Sequence, residues 1–186
     1  MHNKKKAIVR VPATSANLGP GFDSLGVALD WSATYTIEIS ENPNSSNNDP
    51  IQRMVASAAG AFFKEEKIDD SIEFSVTYES DIPVGRGLGV SAAARAAGII
   101  AANALSGAEK KLLDMLPLAV NLEGHADNIV PALLGGMRVV VIDENQINQI
   151  EVPVPDDLGL VVLTPKFSMP TEKSRKSLPT QLSRQD

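Results

Sequence analysis

Apolar residues recur along this chain with two periods, and each period predicts one kind of element. Alternation with polar residues, or a short unbroken apolar run, is typical of strands. It predicts strands over residues 7–11, 29–39, 72–78, 137–142 and 158–165, the last two as buried strands. Helical spacing of apolar residues predicts helices over residues 51–66, 91–105 and 112–123, the last entered near Asp114 or Pro117.

The order of these elements indicates the fold class. Strands and helices are mixed without strict alternation, which favours an α+β fold over a doubly wound parallel sheet. A further helix is predicted to begin at Thr171, with Glu172 in its first turn. The sequence stops at Asp186, shortly after that beginning, so we expect it to be an interrupted piece of a longer design.

Composition narrows the class of protein. The 186 residues include 23 acidic and 17 basic side chains, a formal net charge of −6. That balance argues against bulk binding to nucleic acid or to an acidic membrane, which leaves a basic footprint. The absence of cysteine excludes disulfides and thiolate chemistry. No apolar run is long enough for a secretory signal or a membrane span, so we expect a cytoplasmic protein.

A glycine-rich loop precedes the second predicted helix, in the run DIPVGRGLGVSAAARAAG (residues 81–98). Glycines let a backbone turn its N–H groups inward, and the helix start adds unpaired N–H groups and a positive dipole end. Such a junction suits a phosphate, and Ser91 can offer its hydroxyl to a phosphate or to Mg²⁺. No Gly-Lys-Ser/Thr follows, so this is not a Walker A loop. An ordinary glycine-rich turn is the alternative.

The run EGHADN (residues 123–128) concentrates two carboxylates, an imidazole and an amide near the end of a predicted helix. Such groups can orient a polar substrate and polarise a hydroxyl, while a polar helix cap is the alternative interpretation. A metal site made by His125 with Asp127 is disfavoured, because His2 is the only other histidine in the chain.

Two more segments hold candidate polar side chains. The run PATSANLGPGFDSLG (residues 12–26) sets Asn17 and Asp23 among glycines and prolines that restrict the backbone, unless it is only a long surface loop. Thr171 and Arg175 lie four residues apart and therefore on one helix face. An arginine there can clamp a carboxylate, although a solvated surface arginine is the commoner outcome.

These clusters, in this order, resemble the motifs of the GHMP kinases, the superfamily of galactokinase, homoserine kinase, mevalonate kinase and phosphomevalonate kinase. The run VRVPATSANLGPGFDSLGVAL is similar to the N-terminal signature of its homoserine kinase branch. PVGRGLGVSAAARAAG is similar to the ATP loop, usually written Pro-x-x-x-Gly-Leu-Gly-Ser-Ser-Ala-Ala. EGHADNIVPALLGG resembles the His-x-Asp-Asn segment, and MPTEKSRKSLP the Thr-(three residues)-Arg segment.

The resemblance, which runs from about Lys6 to the end, implies a fold and an activity. Residues 1–155 would form the GHMP kinase N-terminal ATP-binding domain, which is ribosomal protein S5 domain 2-like, and residues 156–186 would begin a ferredoxin-like C-terminal domain. The activity would be transfer of the ATP γ-phosphoryl group to the side-chain hydroxyl of L-homoserine, giving O-phospho-L-homoserine in threonine biosynthesis.

The resemblance also implies roles for individual residues. Asn128 would hold the attacking hydroxyl, with Asp127 beside it as the second catalytic residue, and Ser91 would lie near Mg²⁺. The homoserine pocket would be lined by Asn17, Asp23, His125, Asp127, Thr171 and Arg175, the last facing the substrate carboxylate. The ATP phosphates would be wrapped by Pro83, Val84, Gly85, Arg86, Gly87, Leu88, Gly89, Val90, Ser91, Ala92 and Ala93. The family is thought to work without a strong general base, by positioning and charge neutralisation.

The sequence departs from the family pattern at three places. Val90 stands where the ATP loop has its first serine. The magnesium-binding glutamate of the relatives falls eight residues before the histidine, where this chain has Pro117, with Asp114 or Glu123 as the neighbouring replacements. The relatives also continue beyond this C-terminus, with a further glycine-rich motif and another substrate-binding arginine.

Two other functions stay open at this stage. One is a different GHMP kinase acting on another small alcohol, and the other is an inactive or impaired remnant that still binds nucleotide. The expected partners are ATP with Mg²⁺ and L-homoserine, without nucleic acid or membrane, and a homodimer is the candidate assembly.

Overall fold

An antiparallel sheet forms the base of the computed structural model, which describes residues 5–40, 48–69, 71–144 and 146–167. Along the described residues, five strands, four α-helices and one 3-10 helix follow one another. They are β1 (Lys6–Ala16), β2 (Leu25–Ser40), α1 (Pro50–Glu65), β3 (Glu73–Glu79), α2 (Val90–Ser106), a 3-10 helix (Leu112–Met115), α3 (Leu116–Glu123), α4 (Ala126–Leu134), β4 (Met137–Asp143) and β5 (Gln146–Val152).

The long strand β2 organises the sheet. One edge of β2 pairs with β1, and the other edge pairs with β3 along residues 34–40 and with β4 along residues 25–27. β4 then pairs with β5 in an antiparallel hairpin. Every pairing is antiparallel, so the predicted α+β class is confirmed and the doubly wound alternative is excluded.

The core lies between the sheet and the helices. Alternate residues of β1 and β2 are buried, among them Val9, Val11, Tyr35 and Ile37, as period-two patterning requires. The alanines of α2 let that helix approach α1 closely while favouring helix formation. Gly98 is required at this contact, because a Cβ there would lie 2.3 Å from the carbonyl oxygen of Val55.

The strands and helices predicted before residue 106 are confirmed, but one later strand is absent and the predicted burial of another is wrong. Residues 158–165 form no strand in the structure; they lack regular structure and leave Val161 and Leu163 almost fully exposed. The predicted strand at 137–142 exists as β4, yet Val140 is its one buried residue, and Val141 and Ile142 near its end are exposed on both faces.

Other differences lie where polar residues dominate. The hairpin partner β5 was not predicted, because a run as polar as QINQIEV carries little hydrophobic signal. The segment 12–26 is a shorter loop than expected, since β1 continues to Ala16 and β2 begins at Leu25. The helix predicted at Thr171, together with Arg175, lies outside the described residues.

A helix that was not predicted, α4, is the most consequential difference. The run EGHADN was expected at the end of one helix, whereas Glu123 ends α3 and Asp127 stands in the first turn of α4. Gly124, with φ of +78°, makes the turn between the two helices. In the part of the chain that the structure describes, no helix has the length and apolar character needed to cross a membrane.

Candidate functional site

The glycine loop bends sharply into α2. Gly85, Gly87 and Gly89 all have a positive φ, and Gly89 stands at the N-cap of α2 in the left-handed conformation. A Cβ at Gly89 would lie 1.9 Å from Oγ1 of Thr14, so no other residue fits without displacing β1. Among the described residues, no side chain caps α2. Its first-turn N–H groups are therefore free of a side-chain acceptor and suited to an anion.

A cavity of about 520 Å³ opens in front of this loop. Its wall brings together the glycine loop with the ends of β1, α1, α3 and α4. Of the predicted site residues, those lining it are Asn17, Val84, Gly85, Arg86, Gly87, Leu88, Gly89, Val90, Ser91, His125, Asp127 and Asn128. The cavity also borders Asp49, Met54, Tyr78 and Glu123.

The remaining predicted residues lie outside this wall. Ala92 and Ala93 are buried in the core face of α2, and Pro83 precedes the part of the loop that borders the cavity. Asp23 is exposed at the tip of the loop between β1 and β2. Thr171 and Arg175 are not among the described residues.

Asp127 is the buried acid of the site. Burial raises its pKa above the ordinary aspartate value, and the charge of Asp23 acts in the same direction. The charge of His125 and hydrogen bonds from Asn128 oppose this rise. Its position depends on Gly26 of β2, where a Cβ would lie 1.8 Å from the Asp127 carbonyl oxygen. The strand can pass this close to α4 only at a glycine.

Asn17 connects the first loop to the acid. Its Nδ2 donates to Oδ2 of Asp127 at 3.1 Å, and its Oδ1 accepts from the backbone N–H of Asp23 at 2.9 Å. Both Asn17 and Asp23 have left-handed backbones, with φ of +60° and +55°. Non-glycine residues in this region are uncommon and concentrate at functional sites. These two hydrogen bonds bring together Asn17, Asp23 and Asp127, three of the residues that were expected to line one pocket.

Asn128 is held from a second direction. Oγ1 of Thr14 donates to Oδ1 of Asn128 at 2.9 Å, and Nδ2 of Asn128 faces Oδ1 of Asp127 at 3.4 Å. Thr14 lies in the same segment as Asn17 and Asp23, residues 12–26, but nothing in the sequence pattern distinguishes it as a site residue. Only its contact with α4, 114 positions away, reveals it.

Glu123, and not a residue near position 117, meets Ser91. Oγ of Ser91 donates to Oε1 of Glu123 at 2.8 Å, and Arg95 forms an ion pair with the other carboxylate oxygen. Pro117 and Asp114 are exposed and do not border the cavity. Counting eight residues back from His125 gave Pro117 and left Asp114 and Glu123 as alternatives, because the packing of α3 against α2 decides which carboxylate approaches Ser91.

Val90 faces both the core and the cavity. Its side chain is partly buried against the core and also borders the cavity beside Ser91. Arg86 of the same loop also borders the cavity, and its Nη2 donates to the backbone oxygen of Lys166 at 2.9 Å. The loop therefore brings backbone groups, the Ser91 hydroxyl and Arg86 to the cavity wall.

The side-chain oxygen atoms of Ser91 and Glu123 are ligands of the kind that Mg²⁺ prefers. Among the described residues, no group of three or more His, Asp or Glu side chains is placed to hold a metal ion. That is compatible with Mg²⁺, which commonly takes one or two protein ligands and completes its shell with phosphates and waters. The residues present therefore fit a magnesium ion bound together with a polyphosphate.

Comparison with known proteins adds independent information. Residues 53–136 match the family described as the GHMP kinases N terminal domain. The chain is similar to a homoserine kinase of Clostridium acetobutylicum, with 40% identity over 96% of this chain and 62% of that protein. It is also similar to a homoserine kinase of Clostridium botulinum, with 35% identity over 96% of this chain and 61% of that protein.

Solved structures show the same relationship. The crystal structure of homoserine kinase from Cytophaga hutchinsonii superposes with a TM-score of 0.77 at 27% identity, covering all of this chain and 64% of that one. Mevalonate kinase of Methanococcus jannaschii shares the fold, with a TM-score of 0.61 at 17% identity over 82% of this chain and 57% of that one. The chain thus spans about three fifths of the length of the curated relatives it matches.

Proposed function

We propose that this chain is a GHMP kinase that transfers the γ-phosphoryl group of ATP to the side-chain hydroxyl of L-homoserine. The product is O-phospho-L-homoserine, a step of threonine biosynthesis. One observation carries the proposal: a single cavity joins an uncapped helix start behind a glycine loop to the buried Asp127 and its neighbour Asn128. Phosphoryl transfer needs both, since it works by holding phosphates and an acceptor hydroxyl in line.

The glycine loop is the phosphate end of the site. Residues 83–93 are proposed to surround the ATP phosphates with backbone N–H groups, assisted by the positive end of the α2 dipole. Arg86 is engaged with Lys166, so backbone donors supply most of the contact. This arrangement does without the lysine of a Walker A loop.

Ser91 and Glu123 are proposed to hold Mg²⁺. The cation would neutralise charge on the phosphates, which is what it supplies when bound. Arg95 keeps the Glu123 carboxylate beside Ser91, so the metal ligand is oriented before nucleotide arrives. The replacement of the first loop serine by Val90 removes one hydroxyl from this end.

Asn128 and Asp127 are the acceptor end. Asn128 is proposed to hold the attacking hydroxyl, while Asn17, Asp23, His125 and Asp127 line the homoserine pocket. Both carboxylate oxygens of Asp127 face side-chain amides. The acid therefore orients amides, in keeping with catalysis by positioning without a strong general base. The hydroxyl oxygen attacks the γ-phosphorus, the bond to the β-phosphate oxygen breaks, ADP leaves, and the hydroxyl proton passes to solvent.

Several wider features remain part of the proposal. Thr171 and Arg175 are proposed to complete the homoserine pocket, with Arg175 facing the carboxylate. The boundary between the ATP-binding domain and a C-terminal domain is placed near residue 155. A homodimer and a cytoplasmic location, expected for such a biosynthetic kinase, are proposed on the same basis.

The direct test incubates the purified chain with Mg-ATP and L-homoserine and follows the product by ³¹P NMR. We expect O-phospho-L-homoserine and stoichiometric ADP. Asn128→Ala is expected to lower the rate by about 10²–10³-fold, the typical cost of one positioned polar group, without changing Mg-ATP affinity. D-homoserine and mevalonate serve as control acceptors.

Two results would contradict the proposal, and they differ from each other. Phosphorylation of mevalonate in preference to L-homoserine would assign the site to another small-alcohol kinase. Binding of Mg-ATP by calorimetry with no product from any acceptor would leave a nucleotide-binding remnant.

A further inference from the structure

Thr14 occupies an irregular point of β1. The ladder between β1 and β2 shifts register between Pro12 and Thr14, so that residues 29–31 of β2 lie opposite Ala13 alone. The alternation of buried side chains breaks at the same point, because Ala13 and Thr14 are consecutive and both fully buried. Irregularities of this kind re-aim side chains and are frequent beside active sites.

The re-aimed side chain joins three parts of the site. Thr14 belongs to β1, its backbone N–H donates to the carbonyl oxygen of Leu88 in the glycine loop, and its hydroxyl donates to Asn128 in α4. Gly89, the N-cap of α2, packs directly against the same hydroxyl. A buried hydroxyl without a partner would be costly, so the contact with Asn128 is also what makes a threonine acceptable here.

The direction of this hydrogen bond decides what Asn128 offers. An asparagine side chain has one acceptor end and one donor end, and either end can face a given direction. The Thr14 hydroxyl donates to Oδ1 and the Asp127 carboxylate accepts from Nδ2, so together they hold the amide with its N–H end toward Asp127 at the cavity wall. A hydrogen-bond donor is then the group that a substrate hydroxyl oxygen meets.

We propose that Thr14 is a positioning residue, whose hydroxyl fixes the side-chain amide of Asn128 with its N–H end toward the acceptor. The catalytic part of this inference rests on the proposed function, whereas its geometric part does not. Valine in place of Thr14 fills the same volume but removes the hydrogen bond, which leaves Oδ1 without a partner and the amide free to turn. Serine keeps the hydrogen bond and removes only a methyl group.

The first experiment reads the amide directly, on the full chain. Asn128 side-chain N–H₂ signals are assigned in ¹H–¹⁵N spectra by their loss in Asn128→Asp. In the parent chain and in Thr14→Ser we expect one amide pair with slow exchange against water. In Thr14→Val we expect that pair to shift and to exchange at least about tenfold faster, since its restraint is lost. An unchanged Asn128 pair in a folded Thr14→Val chain would overturn the inference.

The second experiment reads catalysis. Thr14→Val is expected to lower kcat for L-homoserine about tenfold or more while KM for ATP stays within about twofold, and Thr14→Ser is expected to stay near the parent. Equal loss in both variants, or a loss that appears only in KM for ATP, would assign Thr14 a merely structural role. If the parent chain forms no product, the proposed function fails, while the amide spectra still decide whether Thr14 orients Asn128.

Discussion

Helices α1 and α2 begin at the same cavity and solve the same problem in opposite ways. The first turn of any helix leaves N–H groups without intrahelical partners. In α1, the Asp49 side chain accepts from the N–H of Ile51 at 2.7 Å, and the Gln52 side chain accepts from the N–H of Asp49 at 3.2 Å. In α2, the N-cap is Gly89, and the part of the chain that the structure describes supplies no side-chain cap.

The difference in capping makes one side of the cavity suited to an anion and the other side unsuited to it. At α1 the positive end of the helix is satisfied by a carboxylate of the chain itself, which also repels an incoming phosphate. At α2 the first turn has no acidic residue of its own, and the nearby Glu123 carboxylate bonds the Ser91 hydroxyl and Arg95 instead of capping the helix, so the backbone N–H groups keep their partial positive charge for a ligand. Capping within the chain stabilises the fold, and leaving a helix uncapped makes room for an anion.

The largest loss of stability and of nucleotide affinity is expected from a substitution at Gly89, the N-cap of the uncapped helix α2. Gly89→Ala must adopt a left-handed backbone and overlap Thr14, so we expect a loss of about 2–5 kcal/mol in the free energy of unfolding. Mg-ATP affinity should fall at least about tenfold, since the loop must move. Denaturant unfolding and calorimetry measure the two effects.

Gly87→Ala is the matched control for this change. Gly87 also has a positive φ, but a Cβ there meets nothing within 4 Å. It should therefore cost only the conformational term, about 1–2 kcal/mol. Equal losses in the two variants would show that backbone conformation alone, and not the contact with Thr14, makes Gly89 necessary.

A smaller loss of stability is expected from a substitution at Asp49, the N-cap of the capped helix α1. Asp49→Ala removes the side-chain acceptor of the capping box, leaves the backbone N–H of residue 49 able to donate to Gln52, and should lower the free energy of unfolding by about 1 kcal/mol, whereas Asp49→Asn should stay within a few tenths. The Asp49 carboxylate also contacts Tyr78, whose pKa is raised by burial and by that charge. Stabilisation by Mg-ATP should be no weaker in the two variants than in the parent chain, since the Asp49 charge does not attract phosphate. If Asp49→Ala abolished it, the cap of α1 would belong to the phosphate site.

The smallest effect is expected at Val90, within the open helix start. Val90→Ser restores a hydroxyl beside Ser91, and one new hydrogen bond of about 1 kcal/mol should tighten nucleotide binding roughly fivefold. Val90→Ala removes the same apolar contact without adding a hydroxyl, so it isolates the polar gain. Equal nucleotide affinity in the serine and alanine variants would mean that this position does not face the phosphates.

Much of the fold could be predicted because its signals are local. Helix α1 has apolar residues at helical spacing and a capping box at its start, and β2 alternates over most of its length. Predictions failed where burial did not follow hydrophobicity. Residues 158–165 are apolar but exposed, and β5 is polar but paired with β4. Pairing satisfies backbone groups whatever the side chains are, so a polar strand leaves little trace in the sequence.

The site divides in the same way. The glycine loop, Ser91 and the Asp127–Asn128 pair could be found as motifs, because glycine conformation and a helix start are properties of consecutive residues. Glu123 was only one of two candidate replacements for the metal ligand, and Thr14 and Arg95 were not found. These residues are identified by contacts between distant parts of the sequence. Ser91 and Glu123 are 32 positions apart, and Thr14 and Asn128 are 114 positions apart.

The sequence alone therefore determined the elements that short-range sterics and hydrophobic periodicity specify, together with the kinds of group that could bind a phosphate. The tertiary structure decided which groups meet: Glu123 rather than Asp114 at Ser91, and Thr14 at Asn128. The physical reason is that hydrogen-bond geometry between distant residues is set by how helices and strands pack. A register shift between β1 and β2, or a glycine that permits close approach, changes such a contact without changing the local pattern.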